Sequence, residues 1–231
     1  MSARYAIYFA PEQGSPWWTF GSHWLGRDEC LDVPLAQPRL PTITPDPLHA
    51  ITLQPRRYGF HATLKAPFPL RAGHTQTDVL KRLQALASQL KPLALGPLQA
   101  VAMGDFVALG PTAANAELMA LAARCVAELD DLRAPLSEAD LARRRVAHLD
   151  ERGRALLHRY GYPYVMDRFR FHFTLSGPVA LPIAQLLIDS ATDAVADLNA
   201  QAPLQLDRLC LFVEPGPGEP FKRIGDAVLG A

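Results

Sequence analysis

Two short segments of the chain share one pattern, and the groups they repeat can move protons: Arg57-Tyr-Gly-Phe-His61-Ala-Thr63-Leu-Lys65-Ala-Pro67 and Arg168-Phe-Arg170-Phe-His172-Phe-Thr174-Leu-Ser176-Gly-Pro178. Aligned without gaps, both read Arg, aromatic, any, Phe, His, any, Thr, Leu, any, small, Pro. Side chains alternate across a strand with period two, so His172 and Thr174 share a face with Arg168, Arg170 and Ser176, with Phe169, Phe171, Phe173 and Leu175 behind them. In the first copy the same rule groups His61 and Thr63 with Arg57, Gly59 and Lys65. Any half-exposed antiparallel strand alternates in this way, and one histidine on such a face is usually a surface residue. The recurrence favours chemistry, because a solvent face accepts Lys, Glu, Gln or Ser freely, yet both copies hold His and Thr in the same frame.

Two imidazoles suit the hydrolysis of a phosphodiester, which needs a base for the attacking water and an acid for the leaving oxygen. With an ordinary pKa of about 6.5, one ring can be neutral and the other protonated near neutral pH. Thr63 and Thr174, two residues on, can donate hydrogen bonds to the non-bridging oxygens where charge gathers. Lys65 and Ser176, four residues past each histidine, are candidate substrate-binding residues, and Lys65 brings charge. Arg168 and Arg170 are candidates on the same terms, against the equally open reading of solvated or salt-bridged side chains. Zinc spacings such as His-x-x-x-His and His-Glu-x-x-His are absent, so no metal site is expected. His23, His49, His74, His148 and His158 have no paired context and are given no role. Trp17, Trp18 and Trp24 can stack on a base, but large aromatics more often fill core.

Phe-His-x-Thr-Leu, occurring twice, resembles the two-histidine (2H) phosphoesterase superfamily. The flanks Arg57 to Phe68 and Gly161-Tyr-Pro-Tyr-Val-Met-Asp-Arg to Gly177 look like a branch found beside phosphonate-degradation genes, and the likeness spans nearly the whole chain. The resemblance implies an α+β fold of two similar lobes, each an antiparallel sheet with outer helices, around a central cleft. That is one bilobal domain over residues 1–231, with repeat strands at 57–67 and 168–178. It also implies a metal-independent phosphodiesterase with His61, His172, Thr63 and Thr174 as catalytic residues and no cofactor. The partner expected is a small phosphate ester, a nucleotide or ribose cyclic phosphate or an RNA end, with a phosphoribosyl cyclic phosphate as one candidate. Alternatives are an RNA 2′,5′-ligase running the same chemistry backwards and a non-catalytic nucleotide- or phosphate-binding module.

The elements that must carry these residues are readable in outline. Strands are expected at Arg4–Phe9, Tyr58–Phe68, Leu98–Ala102, Phe106–Leu109, Arg168–Ser176, Leu204–Val213 and Phe221–Val228. Helices are expected at about Thr77–Leu90, Ala114–Leu129, Ser137–Tyr160 and Ile183–Asn199, the third opened by a Ser137-Glu-Ala-Asp140 cap and stopped at Gly161. Prolines from Pro34 to Pro55 exclude a long helix there. Strand, helix, strand, strand thus occurs twice.

Composition sets the frame. Lys+Arg and Asp+Glu balance at 23 each, which argues against a long nucleic acid as the main partner. No apolar run reaches the roughly 18 residues of a membrane span, and the N-terminus lacks a signal-peptide core, so a cytoplasmic protein is expected. Three separated cysteines, Cys30, Cys125 and Cys210, give neither a disulfide framework nor a metal knuckle.

Overall fold

In the computed structural model, which describes residues 3–137, 141 and 149–230, the apolar N-terminal run forms β1 (Arg4–Phe9). The aromatic stretch after it is helical, α1 (Pro16–Leu25). Ser15 accepts from the Trp18 N–H, Pro16 occupies the first turn, and Gly26 closes the helix at φ 78°. Its tryptophans are core: Trp17 Nε1 donates to the Ala202 carbonyl, Trp18 Nε1 to Glu29, and Trp24 Nε1 to the Leu175 carbonyl at 2.9 Å. The last bond ties α1 to the second histidine segment.

A short hairpin, β2 (Arg27–Asp28) and β3 (Val33–Pro34), leads to α2 (Pro45–Arg56). This helix lies inside the segment that its prolines mark as non-helical, and position explains the difference. Pro45 and Pro47 sit in the first turn, where backbone N–H groups have no helical partner anyway. Pro55 sits in the last turn. Lacking an N–H, it cannot bond the carbonyl four residues back, and the Ile51 carbonyl accepts the Gly177 N–H instead, at 2.6 Å.

The chain continues through β4 (Ala62–Pro69), α3 (Gln76–Ala87) with a Thr75/Asp78 capping box, β5 (Leu93–Ala94), β6 (Leu98–Met103), β7 (Phe106–Pro111) and α4 (Ala116–Glu128). The expected helix from Ser137 to Tyr160 falls partly outside the described residues, including most of its Ser137-to-Asp140 cap. Its C-terminal part is α5 (Glu151–Tyr160), which starts afresh: Asp150 is the N-cap and accepts from the Gly153 N–H. Gly161 ends it at φ 76°, in agreement with the stop signal. After a 3₁₀ turn at Met166–Arg168 come β8 (Phe173–Thr174), α6 (Leu181–Gln201), β9 (Gln205–Leu206), β10 (Arg208–Glu214) and β11 (Lys222–Val228).

The fold is α+β, built on one seven-stranded antiparallel sheet in the order β11-β10-β1-β4-β8-β7-β6. This differs from the expectation of two lobes with separate sheets. A strand, a helix, a short strand and a hairpin follow one another in β4-α3-β5-β6-β7 and in β8-α6-β9-β10-β11, one short strand more than the expected unit, and each hairpin lies on the other's side of the sheet. The β6–β7 hairpin pairs with β8, and α3 packs on β10 and β11 while α6 packs on β6 and β7. One core therefore runs under both halves: Ile7, Phe60, Leu64, Val79, Leu83, Leu121, Phe173, Leu187 and Leu211 belong to a single buried cluster. No helix among the described residues is long and apolar enough to cross a membrane.

Candidate active site

The two histidine segments meet at the centre of the sheet. β4 and β8 are antiparallel neighbours with Ala62 opposite Phe173. Continuing that register sets His61 opposite Thr174 and Thr63 opposite His172, so each histidine faces the other segment's threonine. Opposed side chains on one face have Cβ atoms about 4.5–5.5 Å apart and diagonal ones about 7–8 Å. The histidines are the diagonal pair, a separation that can straddle one phosphate. Behind them Phe60, Ala62, Leu64, Phe169, Phe171, Phe173 and Leu175 are all buried, which is the alternation expected of these segments. Only Phe173 and Thr174 of the second segment are ladder-paired strand; Arg168 ends a 3₁₀ turn, Phe169 is extended, and burial alternates from there to Leu175.

Both rings are held in the same way. His61 Nδ1 lies 2.9 Å from the Gly59 carbonyl and His172 Nδ1 lies 2.8 Å from the Arg170 carbonyl, in each case two residues upstream. A carbonyl only accepts, so Nδ1 carries the hydrogen and Nε2 is left as the proton-accepting atom. His61 Nε2 is 3.3 Å from Thr63 Oγ1, whose hydroxyl can donate to it while the ring is neutral. The first turn requires glycine. Gly59 has φ 77°, and a Cβ there would come within 2.5 Å of the Glu29 Cβ. The Tyr8 ring stacks on His61 at 3.8 Å between centroids, and Phe106 lies 5.7 Å from His172.

Burial disfavours a charge on either ring. It pushes His61 down to about 4, with the charge of His172 adding to the effect and the Gly59 carbonyl opposing it. His172 is lowered by burial too, with the Arg170 carbonyl opposing. Burial therefore favours the neutral imidazole at both positions.

Two cavities adjoin here and share Thr63, Ala66, Phe106 and Tyr162. One of about 470 Å³ holds His61, Thr174, Tyr8, Tyr58 and Arg4; one of about 790 Å³ holds His172, Tyr164, Asp167, Arg168 and Arg170. Tyr8 and Arg4 carry no sequence signal for this role, because nothing in the N-terminal strand predicts which neighbour it pairs with, whereas Tyr58 stands in the aromatic position of the first repeated segment. Among the described residues no three His, Cys, Asp or Glu side chains form a group that could hold a metal ion.

The four other candidates fall differently. Lys65 does not face the cleft. Tyr8 pairs with Thr63 but Ile7 pairs with Lys65, so the ladder is irregular around Leu64 and Lys65 turns to the helix side. There Lys65 Nζ donates to the Val126 carbonyl at 3.0 Å and to Asp130 at 3.2 Å. Ser176 lines the smaller cavity, but its buried hydroxyl accepts the Val107 N–H and donates to the Gly177 carbonyl. Arg168 reaches the larger cavity while paired with Asp150. Arg170 is exposed in the same cavity, and its guanidinium has no ion pair among the described residues.

The family described as "Protein of unknown function (DUF1045)" matches residues 63–222, a span that includes Thr63, His172 and Thr174 and begins two positions after His61. The chain is 41% identical over 221 residues to a protein of Janthinobacterium sp. (strain Marseille) named ribose 1,5-bisphosphate phosphokinase PhnN, covering 94% of this chain and 49% of that protein. A protein of the same name from Laribacter hongkongensis (strain HLHK9) is 35% identical over 221 residues, covering 95% of this chain and 50% of that one. The chain thus spans about half the length of these curated relatives.

Proposed function

The chain belongs to the DUF1045 family, and from that premise and the paired histidines we propose that it is a metal-independent phosphodiesterase that opens a small cyclic phosphate. The observation that carries the reading is the diagonal placement of two like-held imidazoles, each opposite a threonine hydroxyl. One Nε2 takes a proton from water as its oxygen bonds to phosphorus. The other, protonated, gives its proton to the ester oxygen as the P–O bond breaks, while Thr63 and Thr174 donate to the non-bridging oxygens. Burial lowers both rings, so either can start neutral as the base while the other carries the proton that the leaving oxygen takes.

The relatives' name suggests where the substrate belongs. Phosphoryl transfer in a P-loop kinase uses a Gly-x-x-x-x-Gly-Lys-Ser/Thr stretch, which this sequence does not contain. We assign the named kinase chemistry to the other half of those relatives and a neighbouring reaction to this half. Water opening the cyclic phosphate of a phosphorylated ribose yields a ribose bisphosphate, the kind of substrate their name states. This agrees with the resemblance to a phosphonate-associated branch.

The test is a panel of ribose and nucleotide cyclic phosphates incubated with purified protein and a strong chelator, followed by phosphorus NMR. The expected result is ring opening that survives the chelator. Activity lost to chelation and restored by zinc or manganese would replace the reading with a metallohydrolase, tight binding without turnover would leave a binding module, and joining of RNA ends would indicate the ligase direction.

A further inference from the structure

Resting on the reading of the cleft as a cyclic phosphodiesterase site, we propose that Arg170 binds a second phosphate on the same substrate, so that the substrate class is a sugar cyclic phosphate carrying a separate phosphomonoester. Arg170 lies two residues before His172 on a stretch in which burial alternates from Phe169 to Leu175. It therefore shares the face of His172, about 6.6 Å along the chain. Its carbonyl is occupied by His172 Nδ1, while its exposed guanidinium lines the cavity of about 790 Å³ on that side. The other charges lining this cavity are already matched: Arg168 pairs with Asp150, and Asp167 pairs with Arg152. At the opposite end Arg4 shares the buried Glu214 with Arg57, and Asp105 adds an acid. Among the described charged residues lining the cleft, Arg170 is thus the cation without an anion, offset from the reacting phosphate by roughly the width of a pentose. A planar guanidinium fork fits a phosphate with paired hydrogen bonds.

A phosphate at that distance can belong to a sugar phosphate or to the next linkage of an RNA end. The chain's balance of 23 basic and 23 acidic residues favours the small molecule. The experiment measures kcat/KM of the full chain on a ribose cyclic phosphate with and without a 5-phosphate, for wild type, Arg170→Ala and Arg170→Lys. Calorimetric titration with ribose 5-phosphate runs in parallel. The Arg170→Ala change keeps the backbone carbonyl that orients His172, and it should lower the preference for the 5-phosphorylated substrate by about 10–100-fold, as for one charge-assisted hydrogen-bonding group. The lysine variant should recover part of this, and ribose 5-phosphate affinity should fall by a similar factor. Equal losses on both substrates, or unchanged ribose 5-phosphate affinity, would overturn the proposal. So would a greater dependence on Arg170 for a dinucleotide 2′,3′-cyclic phosphate. If neither sugar is hydrolysed, the titration separates the two ideas: affinity that depends on Arg170 upholds the phosphate subsite and rejects the hydrolytic reading.

Discussion

His61 and His172 differ from surface histidines in having one nitrogen committed to a carbonyl and the other aimed at a threonine-lined gap. If they act as base and acid, alanine at either should lower turnover by about 10²–10⁴ while the fold survives. The double replacement should lower it by far less than the product of the singles, since removing either already disables the step. Turnover against pH should be bell-shaped, and full activity in both single variants would reject the mechanism. A separate outcome concerns stability. The folded pKa of His61, about 4, lies below its ordinary 6.5, so between those values the unfolded chain binds a proton that the folded chain does not. Stability should be full above about pH 6.5 and fall as pH drops towards 4. Urea midpoints across this range should show a shallower loss in His61→Gln than in wild type; identical slopes would mean that the ring is not held neutral.

At the scale of elements, the site depends on where strands stop being regular. The irregular pairing after Thr63 sends Lys65 under α4, where it neutralises Asp130 together with Arg133. Lys65→Met should therefore lower stability by about 1–3 kcal/mol through the weakened buried acid, with KM unchanged in the folded protein. A raised KM at unchanged stability would return Lys65 to the cleft. Ser176 closes the second segment in a similar structural way, by capping the Val107 N–H, and the Pro55 break in α2 frees the Ile51 carbonyl to hold Gly177. These bonds fix the chain just past Thr174, where the ladder itself pairs only two residues.

At the scale of the molecule, the exchange of hairpins means that neither repeat can bury its own apolar faces. A fragment of residues 3–137 keeps β6 and β7 but loses their partner β8, and keeps α3 but loses the β10–β11 surface beneath it. It should lack dispersed amide resonances and a cooperative thermal transition. A well-folded fragment would show that the halves are independent lobes after all.

The sequence by itself determined the local features. The two His-x-Thr segments show their buried and open faces through period two, the α3 and α4 helices lie close to their expected places, and Gly161 ends α5 as a left-handed glycine should. It left α1 and α2 unread, since aromatic and proline-rich composition masks a helix whose prolines happen to fall in the end turns. Only the tertiary structure decided which strands became neighbours. Pairing joins residues far apart in the chain through backbone groups that are alike in every residue, so the alternation in each strand says which face is open but not what lies beside it. That is why His61 and His172 were identifiable as a pair from their spacing to threonine, while their diagonal relation, the stacking of Tyr8 and the turning away of Lys65 depended on the register between β1, β4 and β8.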